Sequence, residues 1–165
     1  MIHFDKITFP KKAHHSLILE KKIQNALNKI MRSKARFLLF AGDDSRAKMA
    51  ALEFLVNADR LITYRIDLSQ VVSKYIGETE KNLSRLFERA EKQGCILFFD
   101  DADALFGKRS EVKDAQERYA EMTVFFLNHL KTFDGMVIVS QHRNRGPVKE
   151  IQNKFNAILH FPLPK

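Results

Sequence analysis

Three carboxylates fall within four positions at Asp100, Asp101 and Asp103, directly after the unbroken apolar run Cys95-Ile-Leu-Phe-Phe99. Such a run reads as a strand buried on both faces, at the centre of a parallel sheet. Open α/β sheets bind ligands at the carboxyl ends of their strands. An acid there can hold a magnesium ion on a nucleotide. The bland alternative is a buried strand that ends in a solvated acidic turn. A second strand, Phe37–Ala41, runs into Gly42-Asp43-Asp44-Ser45-Arg46-Ala47-Lys48-Met49 and then into an apolar helix. Strand, turn, lysine and helix is the layout of a loop that cradles phosphates. Gly42 and Lys48 fit its spacing. Ala47 stands where the second glycine belongs, and Met49 where a hydroxyl residue belongs.

The rest of the chain must position these groups. At 165 residues it is long enough for one domain with a real core. Its 45% hydrophobic and 29% charged residues are those of a soluble globular protein. The formal charge is +8. That charge permits acidic partners. The basic residues are spread along the chain, however, without interleaved aromatics, which argues against a nucleic-acid partner. The lone cysteine, Cys95, lies in an apolar run and reads as a core thiol. No membrane span or signal pattern is visible, so a cytoplasmic setting is the default expectation.

Residues 1–16 read as a short edge strand or an extended arm, with His14-His15 in a solvated loop. Residues 17–32 have helical spacing, with Leu19, Ile23, Ala26, Leu27 and Ile30 inward. Further strands are expected at 61–67, 136–140 and 157–161, and helices at 79–90, 119–133 and 148–156. Strands alternating with helices argue a parallel α/β sheet with right-handed crossovers. The expected division is 1–34 as an arm and helix packing on the core, then 35–165 as the main domain.

Asp100-Asp-Ala-Asp-Ala-Leu-Phe-Gly-Lys-Arg109 closely resembles the Walker B region of the AAA family of ATPases. The stretch after the second core strand resembles the same family. There, an aromatic–aliphatic–glycine triplet lines the pore of a ring and grips unfolded polypeptide. Tyr75-Ile76-Gly77 matches that triplet residue for residue. A turn with one buried tyrosine is the plain alternative. The resemblance spans residues 35–162. It implies a P-loop NTPase three-layer α/β/α sandwich with a five-stranded parallel sheet in the order 5-1-4-3-2. It also implies ATP and Mg2+ as cofactors, assembly as a homo- or hetero-oligomeric ring, and a protein client. The helical lid of the family is expected to be absent from these residues.

Carried over residue by residue, the resemblance gives Gly42 to Met49 the nucleotide, Asp100 the magnesium, and Asp101 the catalytic carboxylate. His142 takes the polar sensor position, beside Gln141, and Lys154 the inter-subunit arginine position. The departures are concentrated in this set. A thioether at Met49 is a poor ligand for a hard cation. Asp101 is a methylene shorter than the family's glutamate, about 1.5 Å. A shift of about 1 Å can cost roughly a hundredfold in rate. Lys154 lacks the guanidinium fork. A carboxylate of Asp43 or Asp44 about 5 Å from a phosphate charge costs roughly 3 kcal/mol at an effective dielectric near 20. The expected function is therefore an AAA-like subunit with a degenerate nucleotide site, acting in assembly or protein remodelling. The alternatives are a slow but real ATPase using Lys48, Asp100 and Asp101, and a scaffold that binds nucleic acid or an acidic surface.

Overall fold

The computed structural model describes residues 5–7, 19–59, 62–67, 76–100, 102, 113–142 and 153–163. Its elements are β1 (Asp5–Ile7), α1 (Lys21–Arg32), β2 (Phe37–Ala41), α2 (Ser45–Asp59), β3 (Thr63–Asp67), α3 (Ile76–Gln93), β4 (Ile96–Asp100), α4 (Lys113–Thr132), β5 (Met136–Gln141) and β6 (Ala157–His160).

The strands form one sheet in the order β1-β3-β4-β5-β2-β6. From β3 to β6 every pairing is parallel, and these five strands have the expected order. The sheet is nonetheless six-stranded, which corrects the expected count of five. β1 adds to the outer edge of β3 in antiparallel register, Asp5 opposite Arg65 and Ile7 opposite Thr63. An edge strand leaves a row of N–H and C=O groups open, and a three-residue antiparallel addition covers part of it. The segment before α1 thus contributes a strand to the sheet itself.

Period-2 alternation decides which layer each strand residue enters. Leu39, Ile66, Leu97, Phe99, Val137 and Val139 face Leu83, Leu86, Phe87 and Ala90 of α3 and Phe126 of α4. Leu38, Phe40, Ile96, Phe98 and Ile138 face Leu27 and Ile30 of α1 and Ala50, Ala51, Leu52 and Leu55 of α2. Helices therefore cover both faces, as the near-continuous apolar strands require. β2 and β5 are buried at every position. Cys95 is buried, and burial pushes its thiol pKa up, as expected of a core thiol.

Gly94 ends α3 at φ +57, the left-handed conformation that favours glycine after a helix. α3 begins earlier than the apolar pattern suggested, at Ile76, so Gly77 lies in its first turn.

His129 of α4 lies flat on Phe87, with ring centroids 5.1 Å apart, and meets the edge of Phe125 at 4.7 Å. Its Nε2 is 3.2 Å from Ser84 Oγ. Burial lowers its pKa below the ordinary imidazole value. The folded state thus favours the neutral ring, and the unfolded chain takes up the proton first as pH falls. This contribution is fully present above the unfolded pKa and is lost as pH falls through it toward the lower folded value. Between about pH 7.5 and pH 5.5, which brackets an imidazole titration, the urea midpoint should fall more in the natural chain than in His129→Gln. Equal falls would remove His129 as the cause.

Candidate nucleotide site

The carboxyl ends of β2, β4 and β5 meet at one edge of the sheet. Gly42 leaves β2 at φ +125. A Cβ there would stand 2.2 Å from the Phe161 carbonyl oxygen, so only glycine fits this crossing of two chain segments. Its N–H donates to the Gln141 carbonyl at 3.1 Å, and the Asp44 N–H donates to the Phe161 carbonyl at 3.1 Å. The loop is thereby tied to both neighbours of β2.

The helix then starts inside the motif. In the strand–loop–helix layout the positions between Gly42 and Lys48 form a cradle of backbone N–H groups around phosphates. Here α2 is already helical at Ser45. Asp44 caps it. Its Oδ1 accepts the Ala47 N–H at 3.0 Å, and its carbonyl accepts the Lys48 N–H at 3.1 Å. Aspartate is among the strongest N-cap residues, which explains why the sequence folds this way. The Ser45 N–H donates to the Asp43 carbonyl at 3.0 Å. The N–H groups of Gly42, Asp44, Ser45, Ala47 and Lys48 therefore all donate to protein oxygens.

The side chains follow the same trend. Asp43, Ser45 and Arg46 are exposed. Ala47 and Met49 pack against the apolar layer under α1 and α2. Lys48 is 2% exposed and reaches along the sheet edge to the end of β5. Its Nζ donates to Ser140 Oγ at 3.0 Å and to the Gln141 carbonyl at 2.6 Å.

Asp100 ends β4 and lies opposite Asp67 in the β3 register. Arg65, two residues earlier on β3, reaches it diagonally. The Arg65 Nε donates to Asp100 Oδ2 at 3.0 Å, and its guanidinium forms an ion pair with the same oxygen. His142 Nε2 stands 3.6 Å from the other oxygen, Oδ1. Asp100, Lys48 and His142 thus lie at one edge. The motifs did not point to Arg65. Alternation in Thr63–Asp67 puts Arg65 and Asp67 on one face, but the diagonal to Asp100 depends on strand pairing.

Lys154 is exposed and lies at the other end of the sheet, in the loop that leads into β6. Asp101 and Tyr75 lie outside the described residues, as do the expected His14-His15 loop and residues 148–152 of the expected short helix. Ile76 and Gly77 open α3, so these two residues of the triplet are helical.

No group of three or more His, Cys, Asp or Glu side chains able to hold a metal occurs among the described residues. For magnesium the described donors are a poor fit. The carboxylate of Asp100 is engaged by a guanidinium, and the thioether of Met49 is in the apolar layer. Phosphates fit little better, since five of the seven N–H groups of residues 42–48 already donate to protein oxygens.

The model of the ATPase family associated with various cellular activities (AAA) matches residues 38–163. The chain belongs to the AAA family. This AAA domain is 31% identical over 130 residues to an uncharacterized AAA family ATPase of Sinorhizobium fredii, a match covering 78% of the chain and 39% of that protein. It is 30% identical over 135 residues to 26S proteasome regulatory subunit 7 of Caenorhabditis elegans, covering 77% of the chain and 31% of that subunit. The chain thus spans well under half the length of these relatives. The crystal structure of the FIGL-1 AAA domain superposes with a TM-score of 0.68 at 20% identity, over 88% of this chain and 53% of that one, and shows the fold. AAA proteins generally bind ATP with Mg2+, form rings and act on protein substrates. Among the described residues of this AAA domain, no helix is long and apolar enough to cross a membrane.

Proposed function

We propose that this AAA domain retains the family fold for assembly and client contact, while its nucleotide site has degenerated to weak or absent ATP binding. The observation that carries this reading is the loop of residues 42–48, whose N–H groups at five positions are bonded within the protein. ATP would have to break the Asp44 cap and unwind the first turn of α2. A cap of this kind contributes about 1 kcal/mol, and the Asp44 carboxylate would repel the phosphates besides. Arg65 on Asp100 and the packing of half-buried Met49 against the apolar layer point the same way. In this reading the domain sits in a ring with copies of itself or with an active relative in the cytoplasm. It contacts a protein client through Tyr75-Ile76-Gly77 and its neighbour through Lys154, while Asp101 and His142 are remnants of the catalytic set.

Titration calorimetry with ATP, with and without Mg2+, tests this. The expected result is no measurable heat at millimolar ATP. The double variant Asp44→Gly/Met49→Thr, which frees the helix start and restores a hydroxyl, should gain binding that tightens with Mg2+. Micromolar affinity in the natural chain would overturn the proposal.

One observation favours a working ATPase instead. Lys48 is retained and lies at the same sheet edge as Asp100. Its Nζ donates to the oxygens of Ser140 and Gln141, acceptors of the kind a phosphate oxygen also offers. Turnover that disappears in Lys48→Ala would establish that reading.

A further inference from the structure

Residues 21–36 carry Lys21, Lys22, Lys29, Arg32, Lys34 and Arg36 and no acid, so a net charge of +6 lies in sixteen residues of a chain whose total is +8. All six are exposed. The reason is the packing of α1. Leu27 and Ile30 are buried against the sheet, which turns the polar face of the helix outward.

The end of this segment is held in one shape. Ser33 caps α1, donating its N–H to the carbonyls of Lys29 and Ile30 at 3.1 Å each. Its hydroxyl donates to the Ile30 carbonyl at 2.7 Å and accepts the Ala35 N–H at 3.2 Å. From the other side, Asn156 Oδ1 accepts the N–H groups of Arg36 and Phe37 at 2.9 Å each. That bond joins the loop carrying Lys154 to the start of β2. Lys29, Arg32, Lys34 and Arg36 thus share one corner, at the amino end of the sheet and remote from Asp100 and Lys48.

We infer that this corner binds the phosphate backbone of nucleic acid. The composition set nucleic acid aside because cations occur along the whole chain; the fold shows where they are concentrated on the surface without an acid among residues 21–36. Attraction here is almost wholly electrostatic. On α1 the exposed large apolar side chain is Met31, at 36% exposure, and the rest of the outward face is Lys, Arg, Asn and Gln. An acidic peptide would need an apolar anchor to bind well. It also offers at most one charge per about 3.3 Å of extended chain, against one per about 1.7 Å of duplex axis. A bilayer-bound helix buries its apolar face in lipid, and that face of α1 is already against the sheet. Binding through phosphates alone is independent of base sequence.

The test is fluorescence anisotropy with the full chain and a labelled mixed-sequence DNA duplex, in low and moderate salt. Four neutralised phosphates predict roughly a hundredfold weaker binding between about 50 and 200 mM salt. The reversal Lys29→Glu/Arg32→Glu/Lys34→Glu should weaken binding at least about tenfold. The same charge change on α3, Lys81→Glu/Arg85→Glu/Lys92→Glu, should weaken it less than about threefold, since those sites are remote from the corner. Circular dichroism of both variants checks folding, and the neutral set Lys29→Gln/Arg32→Gln/Lys34→Gln replaces the corner variant if it fails to fold. The inference is overturned by no binding at low salt, by equal loss in both variants, or by tighter binding to phosphatidylserine vesicles or poly-glutamate than to the duplex. Because the corner is remote from residues 42–48, its failure leaves the reading of the nucleotide site untouched, and the converse holds.

Discussion

Gly42→Ala should lower the thermal midpoint by on the order of 10 °C. Two independent effects add. The backbone at φ +125 is one that residues with a Cβ rarely adopt, and such strain costs roughly 1–3 kcal/mol. The new Cβ would also stand 2.2 Å from the Phe161 carbonyl oxygen and 2.7 Å from its carbon. That neighbour is backbone, fixed by the Phe161 N–H to the Ala41 carbonyl at 2.7 Å, so it cannot turn away as a side chain could. Forced overpacking costs about 1–3 kcal/mol more. Each kcal/mol moves the midpoint of a domain this size by about 2–4 °C. The matching control is Gly77→Ala. Nothing lies within 4 Å of a Cβ at that position, and it sits in the first turn of α3. Its midpoint should not fall. A Gly42→Ala midpoint within about 3 °C of the natural chain would mean that the loop relaxes freely and that its bonds to Gln141 and Phe161 do not hold it in place.

Phe126→Ala should cost a comparable amount, about 3–5 kcal/mol. Phe126 is 0% exposed and joins α4 to the sheet. Its ring centroid lies 5.0 Å from that of Phe99 on β4, 5.7 Å from Phe87 on α3 and 6.4 Å from Phe37 on β2. One side chain thus touches three elements, β2, α3 and β4. The cavity it leaves is walled by strands that other contacts hold in place, so little collapse can offset the loss. Val124, two residues away and 58% exposed, is the control. Its change to alanine should move stability by no more than about 0.5 kcal/mol. Urea denaturation of both variants measures the difference. A loss below about 1 kcal/mol at Phe126 would show that α4 is not bound to the sheet through this contact.

The layers of the fold were legible because burial and periodicity are local properties of sequence. Phe37–Ala41 is continuous in apolar character because it is buried on both faces, and it is strand β2 with the expected bounds. α1 and the later turns of α4 were readable from their spacing, while α4 begins at Lys113, six residues before the expected start at 119. The start of α3 was not, because Ile76-Gly77-Glu78 has no apolar pattern, and its helical state follows from what succeeds it. β1 was read only as an edge strand or an arm, since three residues of weak alternation cannot specify a partner.

The candidate site divides in the same way. Sequence by itself determined which chemical groups are available: one lysine after a glycine turn, a carboxylate at the end of a buried strand, and no hydroxyl at Met49. It also determined the family, through residues whose order along the chain carries the resemblance. Only the tertiary structure decided what those groups are bonded to. Asp44 is an acid in a loop until α2 begins behind it and its carboxylate meets the Ala47 N–H. Arg65 is a surface cation until β3 pairs with β4 in the register that brings it to Asp100. Lys48 has a target only because β5 lies next to β2. Hydrogen bonds and ion pairs act over about 3–4 Å between residues up to 120 apart in the chain. Pairings at that range are set by strand order and register, which no local pattern of residues contains.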